Sequence, residues 1–255
     1  MSGQALLIVN ADDWGGFRAG TDAIEMCFLA GAISSTTAMV HMADSRRAAE
    51  LARERGRPTG LHLNLTQPFD ASDVPAPVRE RQRRLCARFA NLRLRRWLWN
   101  PDPRVRALVT DGIRDQLERY RVCYGAQPTH VDSHHHVHVC LDVLFSKALE
   151  SGTRVRQTLS PAPSTARDLA SVGRRAKHEL LAHRFVTTTH FWRARELVGG
   201  YGAVPIEQAA ALACERSVEV MVHPSIRNEL ETLRSGVWLD ALAAARLGSY
   251  SALLP

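Results

Sequence analysis

Hydrophobic positions along this chain alternate between a pattern typical of buried strands and one typical of amphipathic helices. Residues 6–9 form a short, continuous apolar run, as expected for a strand buried on both faces. A helical pattern over 21–30 follows and stops at Gly31, a residue type favoured just beyond helix ends. Strands that alternate with helices in this way predict parallel β-α-β units.

The rest of the chain repeats the alternation. Further strands are predicted at 36–40, 60–65, 129–134, 154–158 and 218–222. Further helices are predicted at 45–55, 104–120, 141–150, 166–183, 206–216 and 238–246. About seven units without a clear domain break favour one α/β domain over 1–255, built as a TIM-like (β/α) barrel. Periodicity alone leaves an open parallel sheet as the alternative.

Residues 66–102 are the least regular part, because several prolines surround an arginine-rich stretch at 79–106. We predict an insertion or lid here, with some helix inside it. The net charge of +7 and the pI of about 9.6 therefore reflect one region more than the whole chain. A solvated helix face is the simplest interpretation. The interleaved aromatic residues Phe89, Trp97 and Trp99 also allow nucleic acid, or an anionic lipid surface that carries a glycolipid.

Composition is that of an ordinary soluble globular protein, with 45% hydrophobic and 23% charged residues. No apolar run is long enough for a transmembrane helix, and no signal-peptide pattern is present. The five cysteines form no Cys-x-x-Cys pair and their number is odd, so a disulfide framework is not expected. A reducing cytoplasm is the expected compartment.

The strongest chemical signal is a histidine cluster at 130–138, which contains five of the 11 histidines. Several imidazoles this close together need partners if they are buried. A surface run that scavenges metal without catalysis is one explanation. A metal site is the other, in which one or two histidines bind the ion and the rest orient them.

Two adjacent carboxylates, Asp12 and Asp13, follow the first predicted strand. They repel each other unless a positive charge lies beside them, and a metal ion supplies one. Helix capping would explain an isolated pair equally well. His62 in the third predicted strand and His223 at the end of a later one are ambiguous alone. In a barrel, however, functional residues lie at the C-terminal ends of strands, where all of these residues fall.

Together these residues resemble the YdjC-like family of carbohydrate deacetylases, which includes chitooligosaccharide deacetylase and hopanoid-associated deacetylases. The similar stretches are 7–15, 34–40, 60–62, 128–138, 218–224 and 246–250. They come in family order, and Asp-Asp and Asp-Ser-His-His-His are the most specific of them. The His cluster is closer to the chitooligosaccharide branch. Trp14 replaces the expected Phe, and 66–105 and 159–204 do not align, so these loops leave the substrate open.

The resemblance implies a distorted (β/α) barrel and one divalent metal ion held by Asp13, His62 and His134. It also implies that Asp12 is the catalytic base and His223 the catalytic acid. Residues expected to orient the ligands or contact substrate are Asp132, His136, His138, Arg156 and Trp14. Imidazole ligands favour Zn²⁺, whereas the resemblance keeps Mg²⁺ open.

The expected reaction is hydrolysis of the N-acetyl group of an amino sugar, oligosaccharide or glycolipid by metal-activated water. Another metal-dependent hydrolase on the same barrel, such as a phosphoesterase or an amidase, would have a similar metal site. A non-catalytic metal-binding or nucleic-acid-binding protein is the remaining alternative. Nucleic acid is not the expected partner, because no nucleic-acid-binding signature accompanies the arginines. Peripheral membrane contact and a homodimer are considered as well.

Overall fold

The computed structural model describes residues 5–90, 100–160, 169–197 and 203–254. Its centre is a seven-stranded, all-parallel sheet with the strand order β4-β3-β2-β1-β7-β5-β6. The strands are β1 (Leu6–Trp14), β2 (Ser35–Ala38), β3 (Thr59–Leu63), β4 (Val131–Ser133), β5 (His190–Ala194), β6 (Ala203–Val204) and β7 (Ser217–Val222). The α/β class predicted from the sequence is confirmed.

Helices cover the outer face of this sheet. They are α1 (Arg18–Leu29), α2 (Ser45–Glu54), α3 (Ala76–Phe89), α4 (Pro103–Tyr124), α5 (Leu141–Leu144), α6 (Leu169–Arg184), α7 (Ile206–Ala213), α8 (Arg227–Leu233) and α9 (Gly236–Ala243). Two 3₁₀ segments, His134–Val139 and Tyr250–Ala252, complete the described elements. Within the described residues, no helix has both the length and the apolar character needed to cross a membrane.

The sheet curls because the segment around Val155 pairs with β4 on one side and with the residues that precede β5 on the other. Parallel bridges join Val131 to Val155 and Arg154 to Val186. The Ser160 N–H also donates to the Phe191 carbonyl at 2.8 Å. The curled sheet is a distorted barrel, as predicted, and its interior lies between β1, β3, β4 and β7.

Alternation along β1 separates the barrel interior from the helix layer. Leu7, Val9 and Ala11 belong to the main hydrophobic core beneath the helices. Leu6 and Ile8 belong to a separate cluster with Tyr250 and Leu253. Asn10 and Asp12 continue the inward-facing series toward the C-terminal end of the strand. A continuous apolar run therefore changes into a polar, inward-facing row as it approaches the mouth of the barrel.

Several predicted boundaries differ from the structure. β1 extends to Trp14, so Asp12 and Asp13 lie inside the strand rather than after it. The helix predicted at 141–150 is only Leu141–Leu144. The strand predicted at 154–158 reduces to isolated bridges at Arg154 and Val155. The sequence pattern does not predict β5, β6 or α8, and the first two lie within 159–204, the stretch that does not align with the family.

The arginine-rich stretch begins as helix α3, which agrees with the helix expected inside 66–102. Gln82, Leu85 and Phe89 are its buried residues, and Leu85 packs closely against Gly112 of α4. Three arginines of α3 form ion pairs: Arg81 with Asp115, Arg83 with Glu80, and the largely buried Arg88 with Asp142. Trp97 and Trp99 lie outside the described residues, and the lid stays a prediction.

Candidate metal centre

Asp13 lies at an irregular point of β1, where the register with β2 shifts between Ala11 and Trp14. Its φ of 70° is in the left-handed region, which Asp tolerates better than most side chains. Such an irregularity breaks the inward-outward alternation of a strand. Consequently Asp12 and Asp13 both reach the mouth of the barrel, although neighbours in a regular strand point to opposite faces.

His62 of β3 is fixed between two carboxylates. Its Nδ1 lies 2.7 Å from Oδ1 of Asp132, the residue beside it in β4. Its Nε2 lies 3.3 Å from Oδ1 of Asp13. A metal-binding histidine usually has its second ring nitrogen held in this way by a carboxylate, which fixes the ring orientation. Asp132, predicted to orient a ligand, makes the corresponding contact.

His134 reaches the same point from the 3₁₀ segment that follows β4. Its Nδ1 lies 3.1 Å from Asp13 Oδ1. The next two residues, His135 and His136, both have left-handed backbones with φ of 56° and 55°. Two consecutive residues in this conformation turn the chain sharply. The turn leaves His134 over the barrel mouth and directs His135 outward, where it contacts Thr66.

The side chains of Asp13, His62 and His134 fit a divalent cation. One ligand atom from each lies within 4.8 Å of the others, which is the spacing of donors that share one ion. The set has one carboxylate and two imidazoles, and it is partly open to solvent through Asp13 and His134. Three protein ligands with an open side are typical of catalytic rather than structural zinc sites.

A second set of donors, Asp12, His62 and Asp132, is also close enough to share an ion. These side chains are fully buried, and a cation is already among them. The Arg156 guanidinium donates to both oxygens of Asp12 at 2.7 and 2.8 Å, and it lies 2.6 Å from Asp132 Oδ2. Because Arg156 balances these two carboxylates, the half-open set around Asp13 is the better candidate for a metal site.

Charges in the site keep the two aspartates ionised. Burial raises the pKa of Asp12, but Arg156 and His62 outweigh it and hold the pKa well below its ordinary value. Burial likewise opposes ionisation of Asp13, yet hydrogen bonds with His134 and His62 hold its pKa far below normal. Burial lowers the pKa of His62, but the charges of Asp132 and Asp12 raise it well above its usual range.

His223 follows the last residue of β7 and is held by a helix that begins nearby. Its backbone N–H donates to Glu229 Oε2 of α8 at 2.7 Å. Its ring lies 4.0 Å from Asp12 Oδ2 on one side and 4.0 Å from Glu229 Oε1 on the other. The ring is about one-third exposed, so a substrate atom can reach it from the mouth.

The other predicted residues have different surroundings. Trp14 is fully buried in the core and donates its indole N–H to the Ala48 carbonyl at 3.0 Å, so its predicted role beside the substrate stays a prediction. His138 is buried with Nδ1 2.8 Å from Ser133 Oγ. The ring of His136 packs edge-on against Phe191. These two histidines shape the loop that carries His134 and make no described hydrogen bond to the three candidate ligands.

The sequence reasoning missed three residues that hold this site together. Thr37 Oγ1 donates to Asp132 at 3.0 Å and lies 3.2 Å from His62 Nδ1. Glu219 accepts from Arg156 Nε at 2.8 Å, and the Tyr250 hydroxyl donates to the other oxygen of Glu219. An acidic residue inside the apolar strand 217–222 was the available signal, since a buried carboxylate requires a partner.

Comparisons with known proteins identify relatives of this chain in sequence and in fold. A family model described as YdjC-like protein matches residues 6–252. Proteins named chitooligosaccharide deacetylase from Serratia marcescens and from Yersinia pestis (strain Pestoides F) are each 37% identical to this chain over 143 residues. The alignments cover 53% of this chain and 51% of each relative, so the chain spans about half the length of the curated relatives it matches.

A solved structure shows the same fold. It is a protein from Enterococcus faecalis V583, provisionally described as a cellobiose-phosphate cleavage protein. The TM-score is 0.69 and the sequence identity 21%, and the superposition covers 98% of this chain and 100% of the other. At this identity the likeness concerns the fold alone.

Proposed function

This chain belongs to the YdjC-like protein family, and on that premise we propose that it is a metal-dependent hydrolase that removes an N-acetyl group from an amino sugar, an oligosaccharide or a glycolipid. Its relatives named chitooligosaccharide deacetylase support a carbohydrate deacetylase. The observation that carries the metal dependence is the set of three donors, Asp13, His62 and His134, within 4.8 Å of one another. A second carboxylate, that of Asp12, also lies within 4.8 Å of a ring nitrogen of His62.

The residues proposed to hold the metal are Asp13, His62 and His134, with Asp132 fixing the orientation of His62. When bound, a divalent cation lowers the pKa of a coordinated water toward about 7 and polarises the carbonyl that is attacked. Two imidazoles favour Zn²⁺ on ligand chemistry, and the family resemblance keeps Mg²⁺ as the second candidate.

Asp12 is proposed as the base, and Oδ2 is the atom that takes the proton. Oδ1 already accepts from Arg156 and from Asn10 Nδ2 at 3.0 Å, whereas the described contacts give Oδ2 a single donor, Arg156. A carboxylate oxygen can accept two hydrogen bonds, so Oδ2 retains one acceptor position. Oδ2 also faces His223. Arg156 holds both oxygens of Asp12, so the plane of the carboxylate is fixed before substrate binds.

His223 is proposed as the acid that protonates the departing amine. An amide nitrogen is a poor leaving group, and a proton delivered to it as the C–N bond breaks makes the step feasible. The ring lies between two carboxylates, 4.0 Å from Asp12 Oδ2 and 4.0 Å from Glu229 Oε1. Glu229 also holds the backbone of His223, so the ring approaches the site from a fixed direction.

The product identifies the reaction class. Purified protein loaded with Zn²⁺ or Mg²⁺ is incubated with N,N′-diacetylchitobiose, and free acetate and free amine are measured in equal amounts. Chelation should abolish acetate release, and the same metal should restore it. Phosphate release from a phosphorylated sugar without any acetate release would favour the phosphoesterase alternative and contradict this proposal.

Asp12→Asn tests the proposed base. The amide keeps the size of the side chain but cannot take a proton, so turnover should fall by about 10²- to 10⁴-fold. Metal content should stay at one ion per chain, since Asp12 is not among the proposed ligands. Full turnover in this variant would remove Asp12 from the base role.

A further inference from the structure

The lower half of the barrel interior contains a chain of contacts that runs from the C-terminal segment to Asp12. Tyr250 is fully buried, and its hydroxyl donates to Oε2 of Glu219. Oε1 of Glu219 accepts from Arg156 Nε at 2.8 Å. The other two nitrogens of the same guanidinium donate to Asp12. Each link is a hydrogen bond between side chains that are almost or fully excluded from solvent.

The C-terminal segment is tied firmly to the base of the barrel. The Leu7 N–H donates to the Arg246 carbonyl at 2.8 Å, and the Gly248 N–H donates back to the Leu7 carbonyl at 3.0 Å. The Tyr250 ring stacks on His130 with a centroid distance of 3.8 Å and an interplanar angle of 9°. Because the backbone and the ring are both held, the direction of the Tyr250 hydroxyl is fixed.

Arg156 needs such support because it is surrounded by negative charge. Three carboxylates, those of Asp12, Asp132 and Glu219, lie within 2.8 Å of its nitrogens. The two terminal nitrogens of a guanidinium donate to acceptors that lie in its plane. The remaining Nε–H needs a third acceptor. Glu219 is that third partner. Glu219 also accepts a hydrogen bond from the neutral Tyr250 hydroxyl, which comes from the C-terminal segment.

We propose that Tyr250 and Glu219 are positioning residues, which lock Arg156 so that it presents Asp12 in one orientation at the mouth of the barrel. This inference rests on the proposed function, in which Asp12 is the base. It also gives the C-terminal segment a role in turnover that its position, on the far side of the barrel from the metal ligands, does not suggest. Neither residue contacts the substrate in this proposal.

Tyr250→Phe is the direct test, because it removes only the hydroxyl and keeps the ring that stacks on His130. We expect kcat to fall about tenfold, with KM and metal content within twofold of the unaltered protein. Leu253→Ala is the matched control. Leu253 is buried in the same cluster as Tyr250 but contributes no polar atom to the chain of contacts. It should lose stability without losing kcat.

A second measurement does not depend on acetate release. The Arg156 Nε–H points at Glu219, so its exchange with solvent, followed by NMR in the metal-free protein, reports how firmly the guanidinium is held. Exchange should be at least tenfold faster in Tyr250→Phe and unchanged in Leu253→Ala. If the unaltered protein releases no acetate, the proposed function fails, but this readout still tests whether Tyr250 holds Arg156.

If Tyr250→Phe does not fold, two variants of Glu219 test the same proposal. Glu219→Gln keeps an oxygen that can accept from Arg156 Nε, whereas Glu219→Ala removes it. The alanine variant should therefore lose more kcat than the glutamine variant, by at least threefold, at equal metal content. The proposal is overturned if Tyr250→Phe matches Leu253→Ala in both kcat and Arg156 exchange. It is equally overturned if the two Glu219 variants have the same kcat.

Discussion

His134 and His135 are neighbours in the chain, but their side chains have different surroundings. His134 lies 3.1 Å from Asp13, while His135 is exposed and contacts Thr66. His134→Ala should therefore reduce the bound metal well below one ion per chain, because it removes one of three ligands. The measurement is elemental analysis after dialysis against a limiting concentration of Zn²⁺.

His135→Ala is the control for this change, since it deletes an imidazole from the same turn. It should bind metal as the unaltered protein does. Equal metal content in the two variants would mean that His134 is not a ligand, and the site would have to be sought among the buried carboxylates instead.

Glu219 makes the stability of the protein depend on pH. Burial raises its pKa from 4.5 to about 7, against the opposing effect of Arg156. The folded protein therefore binds this proton more tightly than the unfolded chain does. The resulting stabilisation is complete below about pH 4.5 and is lost as the pH rises through about 7, in total on the order of 3 kcal/mol.

Glu219→Gln isolates this contribution, because glutamine cannot ionise. From pH 5 to pH 8, the free energy of unfolding, measured in urea, should fall more for the unaltered protein than for the variant. The same pH dependence in both proteins would show that Glu219 does not change its ionisation between these values.

Individual site residues differ in how far the sequence could predict them. The adjacent aspartates and the histidine cluster stand out because such groups are rarely buried without partners. Glu219 and Tyr250 are different, since Glu219 is a single acidic residue in an apolar strand and Tyr250 lies in a short segment that carries no chemical motif. Only the three-dimensional path through Arg156 connects them to Asp12.

At the level of elements, β3 can approach β4 only because residue 60 lacks a side chain. A Cβ on Gly60 would lie 2.5 Å from His130 Nδ1 and 2.8 Å from the His130 carbonyl oxygen. Gly60→Ala should therefore push β3 away from β4 and destabilise the protein by about 1–3 kcal/mol, as expected for an overpacked core.

Gly236→Ala is the matched control, since nothing lies within 4 Å of a Cβ at that position. It should leave stability unchanged or raise it by up to about 1 kcal/mol. Urea denaturation midpoints measure both effects. If Gly60→Ala is as stable as Gly236→Ala, the close approach of β3 and β4 is not a constraint.

Elements with a strong internal pattern could be predicted, whereas those defined by pairing could not. The helices α1, α2 and α4 are close to the predicted ranges, because their apolar spacing and terminal glycines are local signals. β5 and β6 carry aromatic, charged and small residues without clear alternation. They are strands because they pair with β7 and with each other, which no local pattern encodes.

At the level of the whole molecule, the excess positive charge is largely local. Three described arginines of the arginine-rich stretch, Arg81, Arg83 and Arg88, form ion pairs within α3 or with α4 and α5. This pairing favours the interpretation as a solvated helix face over that as a nucleic-acid surface. A homodimer and a peripheral membrane contact stay predictions, as does the cytoplasmic location.

The parallel α/β fold was predictable from the alternation of strands and helices, but the polar interior of the barrel was not. Each strand contributes one or two inward polar residues, too few to show a pattern within that strand. Only when β4, β3, β2, β1 and β7 lie side by side, in that order, does a continuous polar layer form from Asp132, His62, Thr37, Asp12 and Glu219. The sequence therefore predicts the metal ligands better than the residues that support them.

The proposed function depends on the binding of one divalent cation by Asp13, His62 and His134. Anomalous diffraction at the zinc edge, from crystals grown with Zn²⁺, tests it most directly. We expect one strong peak bonded to these three side chains at about 2.0–2.2 Å, with Arg156 still paired to Asp12. A peak among Asp12, His62 and Asp132 with Arg156 displaced, or no peak at the barrel mouth, would contradict it.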